Sequence, residues 1–342
     1  MEKNLPKACI IEAPCKINLH LRIGERRPSG FHDVESIFAA LALADTLRFD
    51  RAEGVGINAP SENAPSGSVL FVSNELAGSW RPRSRCLDEL GISPEPEDNL
   101  VLRAVSLFRE KTGFRAALRI RLDKRIPAGA GLGGGSSDAA STLSALNLLA
   151  GQPLGIMDLS EMAGRLGSDV PFFLAGSAAF VCGRGDQVEP IPPPAGLWVI
   201  LVKPPFASGT AQAYRLLDEA RAAFPLCAES PPKENLIKNL SRAPQAWPFQ
   251  NDFLPVFLGR NEAEAAAYRD ILSSLRRAGA LFAGLSGSGS CCFGVFAAKE
   301  AAQRAESEIS AAASRQEASF GKKNIINLTF FLAQKAKPIL EW

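Results

Sequence analysis

Arg125-Ile126-Pro127-Ala128-Gly129-Ala130-Gly131-Leu132-Gly133-Gly134-Gly135-Ser136-Ser137-Asp138-Ala139-Ala140 places five glycines within seven positions and two serines directly after them. Upstream, Phe114, Ala116, Leu118, Ile120 and Leu122 alternate with residues that include Arg115, Arg119 and Arg121, the period of a strand. Downstream, Ala139, Leu143, Leu146 and Ala150 recur at helical spacing, and Gly151 stands where a helix ends. The stretch therefore reads as strand, glycine-rich turn and helix N-terminus. Glycine lets backbone N–H groups approach a ligand with no Cβ between them. A helix N-terminus adds unpaired donors and a partial positive charge, so the element suits a phosphate. The spacing Gly129-x-Gly131-x-x-Gly134 formally matches a dinucleotide fingerprint, but Asp158 and Glu161, at the right distance, fall where a helix starts. A Walker loop needs a lysine that is absent before Ser136. A bare glycine turn is the other reading; the cost of ordering three consecutive glycines weighs against it.

The whole chain sets outer bounds. Its 342 residues, 46% apolar and 22% charged, fit a soluble globular protein of two domains. A net charge of +2 without a basic block disfavours nucleic acid as a partner. No apolar run reaches the roughly 18 residues of a membrane span. Met1 to Pro6 shows no apolar signal region, so a cytoplasmic location is expected. The seven cysteines are odd in number and form no Cys-x-x-Cys, and only His20 and His32 exist as histidines. Neither a disulfide framework nor a zinc site follows; buried thiols in a reducing compartment do.

Outward from the loop, Cys9 to Gly24 reads as a β-ribbon with Lys16, Asn18, His20 and Arg22 on one polar face. That face is either solvated or, for Lys16 and Asn18, turned into a cleft; His20 and Arg22 are expected in solvent. Phe31-His32 lies in a turn-rich loop and suits a ring ligand, Phe31 to stack and His32 to hydrogen-bond an edge. Val34 to Phe49 reads as buried strand. Residues 54–97, broken by five prolines, read as an insertion. Asn99 caps a helix ended by Gly113. Leu154 to Leu166 is a short helix, and Asp169 after it is a helix cap on spacing alone. Ala178 to Pro190 is a hairpin, and Pro192-Pro193-Pro194 marks the boundary between domains at 1–190 and 191–342. Beyond it come a strand (Trp198 to Val202), helices from Thr210 to Ala223, Glu262 to Ala278 and Ala297 to Ala313, and a last strand from Asn327 to Ala333. Residues 230–247 give no pattern. Leu285-Ser286-Gly287-Ser288-Gly289-Ser290 is a second glycine loop, or simply a hairpin turn.

Together these motifs resemble those of the GHMP (galactokinase, homoserine, mevalonate and phosphomevalonate) kinase superfamily. Pro14-Cys15-Lys16-Ile17-Asn18-Leu19, Pro127-x-x-x-Gly131-Leu132-Gly133-Gly134-Gly135-Ser136-Ser137-Asp138-Ala139-Ala140 and Ser286-Gly287-Ser288-Gly289 stand in its order. The Gly-Gly-Gly-Ser-Ser-Asp-Ala form, Phe31-His32 where Tyr-His is usual, and Gly167-Ser168-Asp169-Val170-Pro171-Phe172-Phe173 are most similar to its 4-diphosphocytidyl-2-C-methyl-D-erythritol kinases. The resemblance implies an α+β, two-domain GHMP-kinase fold with the active site in the cleft between the domains. It implies phosphoryl transfer from ATP, with Mg²⁺, to the 2-hydroxyl of that substrate. Lys16 and Asp169 would be catalytic. Asn99, Pro127, Gly129, Gly131, Leu132, Gly133, Gly134, Gly135, Ser136 and Ser137 would bind ATP, with Ser137 also a candidate metal ligand. Asn18, Phe31, His32, Asp169, Gly287, Ser288 and Gly289 would bind the substrate. Partners would be small molecules only, with neither nucleic acid nor membrane, in a monomer or weak homodimer. A homoserine- or mevalonate-type kinase and a non-catalytic nucleotide-binding protein are the rival readings.

Overall fold

Two long antiparallel strands, β1 (Ala8–Arg26) and β2 (His32–Ala52), open the fold in a computed structural model. It describes residues 5–52, 68–74, 99–223, 231–260, 263–320, 325–332 and 336–342. Their register shifts between Pro14 and Lys16 and again between Asn18 and His20. Such irregularities bend a strand and re-aim its side chains, and here they bracket the Lys16–Asn18 segment. After β2 come β3 (Ser68–Asn74), α1 (Leu100–Thr112), β4 (Ala117–Lys124), α2 (Gly134–Leu149), α3 (Ile156–Leu166), α4 (Phe172–Ala175), β5 (Ala178–Cys182) and β6 (Gln187–Pro190). Then follow β7 (Trp198–Lys203), α5 (Thr210–Ala223), α6 (Lys233–Asn239), α7 (Phe253–Gly259), α8 (Ala263–Arg277), β8 (Phe282–Leu285), β9 (Cys292–Phe296), α9 (Lys299–Phe320), β10 (Ile325–Phe330) and β11 (Ile339–Glu341).

The described strands form two sheets. One has the order β11-β1-β2-β4-β3 with β5 and β6 branching from β2; the other is β10-β7-β9-β8. The first half of β2 pairs with β5 and the second with β4, so β2 holds the branch point. Asn99 starts α1 by accepting the N–H groups of Val101 (3.0 Å) and Leu102 (3.4 Å), and Gly113 ends it at φ 72°. Phe49, Val105, Phe108, Ile120, Leu143 and Leu146 fill the core between the first sheet and α1–α4. A second core, with Ile17, Leu19, Trp247, Phe249, Leu201 and Phe293, joins the two sheets. The third lies between the second sheet and α5, α7, α8 and α9.

Four features differ from the sequence reading. His20 is buried, not solvated, because Phe249 and Gln250 of the later half cover that end of β1. Within the expected insertion, Ser68–Asn74 forms a strand parallel to β4, while the remainder of 54–97 lies outside the described residues. Residues 230–247 contain α6, where Leu236 and Trp247 enter the second core. Finally, Ile339–Glu341 returns to the first sheet beside β1, clasped by Arg48 on Glu341 at 2.8 and 2.7 Å. A three-residue edge strand carries no period to read. Among the described residues no helix is long and apolar enough to cross a membrane.

Candidate active site

Lys16 is the meeting point. Its backbone N–H donates to Leu132 O of the glycine loop at 2.9 Å. Its ammonium, almost wholly buried, lies 3.2 Å from Asp169 Oδ2 and donates to Asn18 Oδ1 at 2.7 Å. Phe38 presents its ring face 4.5 Å from the same nitrogen. Asn18 donates onward to Ser36 Oγ at 2.9 Å, so its amide is held at both ends. Asp169 stands in the turn before α4 with its side chain one-third exposed. It caps no helix, since Pro171 occupies that position in α4. The pair thus combines a fixed, buried cation with a solvent-reachable carboxylate.

The glycine loop wraps over this pair. A Cβ on Gly133 (φ 70°) would meet Phe173 at 3.0 Å and the Lys16 chain at 3.2 Å. A Cβ on Gly131 (φ 72°) would lie 2.2 Å from Ser286 O and 2.9 Å from Gly289 O of the second loop. The two loops are further tied by Ser286 Oγ donating to Gly131 O (2.9 Å) and by Cys291 N–H donating to Ala130 O (3.1 Å). Helix α2 begins at Gly134, so Gly133, Gly134, Gly135 and Ser136 present the N–H groups that have no partner within the helix, while the Ser137 N–H donates to Gly133 O at 2.9 Å. Gly135 is exposed and Gly129, at the start of the loop, is too. Pro127 and Leu132 are buried, and Leu132 belongs to the second core, so their side chains shape the loop rather than face a ligand. Ser137 Oγ is buried with no hydrogen-bond partner. Asn99 is occupied in capping α1, whose next residue, Leu100, lies beside Gly135.

In the second loop, Gly287 approaches Asn18 Oδ1, and a Cβ there would come within 3.3 Å of it. Ser288 Oγ pairs with Thr210 Oγ1 at 3.1 Å. The loop is held from behind by Asn251, whose amide donates to Leu285 O (2.8 Å) and Gly287 O (2.9 Å).

Phe31 is exposed, with the Arg184 guanidinium 5.2 Å over its ring. His32 departs from expectation. Its ring is buried, with Nδ1 3.0 Å from Gly24 O and Nε2 3.2 Å from Asp218 Oδ1. Both nitrogens are therefore engaged by the protein, and the ring braces its loop instead of offering a free edge. Tyr214 lies against it at 5.2 Å. Burial, with the charge of Asp169 adding to it, pushes the Tyr214 hydroxyl up to about 12. Tyr214 and Asp218 were not singled out from sequence; with Thr210 they recur every four residues along α5, which is the signal that marks one helix face.

The GHMP kinases N terminal domain family matches residues 99–177, and GHMP kinases C terminal matches residues 249–315. A 4-diphosphocytidyl-2-C-methyl-D-erythritol kinase of Treponema pallidum is 36% identical over 300 residues, covering 86% of this chain and 92% of that one. The chloroplastic enzyme of the same name from Oryza sativa is 42% identical over 207 residues, 60% of this chain, which spans 45% of the rice protein's length. A crystal structure of 4-(cytidine 5'-diphospho)-2C-methyl-D-erythritol kinase superposes with a TM-score of 0.67 at 28% identity, covering 94% of this chain and 98% of the other. Near-complete coverage at this identity, joined to a shared fold, makes the chain a member of the 4-diphosphocytidyl-2-C-methyl-D-erythritol kinase family within the GHMP kinases.

Proposed function

We infer that Lys16 and Asp169 carry the phosphoryl transfer by which this kinase phosphorylates the 2-hydroxyl of 4-diphosphocytidyl-2-C-methyl-D-erythritol with ATP, in non-mevalonate isoprenoid precursor synthesis. The observation that carries the reading is the 3.2 Å Lys16–Asp169 pair directly beneath the glycine loop. Phosphoryl transfer depends mainly on positioning and charge stabilisation. The N-terminus of α2 and the N–H groups of Gly131 to Ser136 cradle the ATP phosphates. Asp169 accepts and orients the proton of the attacking hydroxyl. Lys16 stabilises negative charge on the attacking oxygen and keeps Asp169 in place. Asn18, Gly287, Ser288 and Gly289 border the acceptor, and the exposed Phe31 ring offers a stacking face for cytosine. Mg²⁺ enters with ATP. Among the described residues no three His, Cys, Asp or Glu side chains are grouped to hold a metal, and an ion arriving with ATP would be held chiefly through the phosphates. The unpartnered Ser137 hydroxyl is the protein group that fits beside them. Bound there, the ion neutralises phosphate charge. The five described cysteines are all free thiols, which fits a reducing, cytoplasmic setting. The domains divide near Pro192 to Pro194, the last strand returning to the first sheet.

Coupled ADP release tests this with Mg-ATP and the cytidyl substrate, against homoserine and mevalonate. Selective turnover of the cytidyl substrate is expected. Asp169→Asn should lose turnover by about 10²–10⁴-fold while ATP affinity stays within about twofold. Turnover of a control substrate alone would discard the cytosine reading, and undiminished turnover by Asp169→Asn would remove that residue from catalysis.

A further inference from the structure

A buried charge cluster joins the two ends of the glycine loop. Lys124, the last residue of β4, precedes the loop; Asp138, in α2, follows it. The Lys124 ammonium pairs with Asp138 Oδ2 at 2.8 Å and with Asp45 Oδ2 of β2. The three side chains are 8%, 3% and 0% exposed in that order. The other oxygen of Asp45 accepts the backbone N–H groups of Arg125 (2.5 Å) and Ile126 (2.8 Å), the first two residues of the loop. Among the described residues Asp138 Oδ1 has no hydrogen-bond partner. The ammonium also sits under the start of α2, 3.4 Å from where a Gly134 Cβ would be.

Stability alone is a poor account of this arrangement. Two carboxylates share one ammonium out of water, and buried ion pairs of this kind rarely outperform apolar residues of equal size. Burial opposes the charged form of Asp138, with Lys124 working against that rise and Asp45 adding to it; the carboxyl ends at about 7. What the cluster does provide is geometry. Between Lys124 and Asp138 the chain must hold positive φ at Gly129, Gly131 and Gly133, a conformation that is entropically costly and has no side chains to pin it. The ion pairs anchor the entry and exit of that segment to one another and to β2. They also keep two carboxylates from facing an anion site without a counter-charge.

We propose that Lys124, clamped between Asp45 and Asp138, is a positioning residue for phosphoryl transfer, fixing the span and charge of the loop that receives the ATP phosphates. The proposal rests on the reading of that loop as the ATP site. The informative variant is Asp138→Leu, which frees the helix end of the loop yet leaves Lys124 neutralised by Asp45, so no unpaired buried charge is created. Its KM for ATP should rise roughly tenfold, with the KM for the cytidyl substrate unchanged. Asp138→Asn, which still accepts from Lys124, should restore the ATP KM to within about threefold of the parent. Direct titration with ATP accompanies both. A parent that binds no ATP would overturn the functional reading and the clamp with it. A parent that binds, beside an Asp138→Leu protein that binds equally well, would overturn the clamp alone. So would an equal rise in both KM values, the mark of a general structural loss. Should Asp138→Leu fail to fold, the double variant Lys124→Met/Asp138→Asn, which removes one charge of each sign and leaves Asp45 held by the Arg125 and Ile126 N–H groups, must show the same ATP-selective rise or the proposal fails.

Discussion

Lys16 and His20 lie on the same strand four residues apart, yet their surroundings give them opposite electrostatics. Lys16 is buried beside a carboxylate that remains one-third exposed, and its charge is compensated within 3.2 Å. His20 is buried, its Nδ1 accepting the Gln250 N–H at 3.3 Å, and among the described residues its Nε2 has no partner. Burial, with Arg22 adding repulsion, lowers the His20 pKa from 6.5 to about 4. The folded protein therefore resists protonation where the unfolded chain accepts it. Stability is unaffected above the unfolded value near 6.5, falls as pH drops through the window from 6.5 to about 4, and levels off below. The loss from this one group is on the order of 3 kcal/mol. His20→Asn, whose Oδ1 can replace Nδ1 as acceptor, should flatten the slope of unfolding free energy between pH 6.5 and 4.5 by close to one proton, read from urea titrations. Identical slopes in parent and variant would show that His20 titrates normally. From the sequence, Lys16, Asn18 and Asp169 were singled out by the resemblance of their short motifs to those of the GHMP kinases, spacing alone having made Asp169 a helix cap, and the structure brings the three side chains together. The burial of His20 and the bracing of His32 were not legible, because Phe249, Gln250 and Asp218 reach them from far along the chain.

At the scale of elements, the two glycine loops show that glycine serves two different needs in one segment. Gly131 is a packing requirement: its Cβ would strike backbone oxygens of the second loop, which have no rotamer to yield, and its φ of 72° is unfavourable for any other residue. Gly135 is not. It is helical, exposed, and its Cβ would find only Leu100 Cδ1 at 3.7 Å. Gly131→Ala should therefore lower stability by about 2–4 kcal/mol and abolish ATP binding with it. Gly135→Ala should raise stability by about 0.5–1 kcal/mol, as alanine does in a helix, while weakening ATP binding because the methyl occupies the phosphate's approach. Thermal unfolding and ATP titration on the same samples separate the two. An Gly135→Ala protein that binds ATP like the parent would mean that no phosphate comes close to that turn. The strand-loop-helix order was readable from periodicity alone, although β4 starts at Ala117 rather than at Phe114 and runs on past Leu122 to Lys124, while α2 covers the helical positions from Ala139 to Leu146. Which glycine does which task was not readable, since it depends on Ser286 and Gly289 lying against Gly131.

Across the whole molecule, α5 ties the second half of the chain to the β1–β2 hairpin that carries Phe31 and His32. Its residues 210, 214, 218 and 221 form one face. Thr210 meets Ser288 of the second glycine loop, Tyr214 lies on His32, and Asp218 pairs with His32 and with Arg26 at 3.9 Å. Arg221 donates to Gly24 O (2.9 Å), Ile23 O (2.6 Å) and Asp252 Oδ2 (3.1 Å). Asp252 in turn accepts the Ile23 N–H at 2.8 Å. The helix was legible from sequence to its exact ends, but the role of its polar face was not, because all its partners are distant in sequence. This geometry makes Arg221 the residue that fixes how the proposed cytosine loop stands relative to the Lys16–Asp169 pair, without touching the glycine loop. Arg221→Ala removes three hydrogen bonds and leaves two carbonyls and a carboxylate to find water, at a cost of about 1–3 kcal/mol. The expected kinetic result is a several-fold higher KM for the cytidyl substrate with the ATP KM unchanged, since the loops around Gly131 keep their own contacts. Arg221→Lys should recover little, because one ammonium cannot reproduce the guanidinium fork over three acceptors. If instead both KM values moved together, α5 would be supporting the fold as a whole, and the arrangement of the substrate loop would have to be set by β1 and β2 alone.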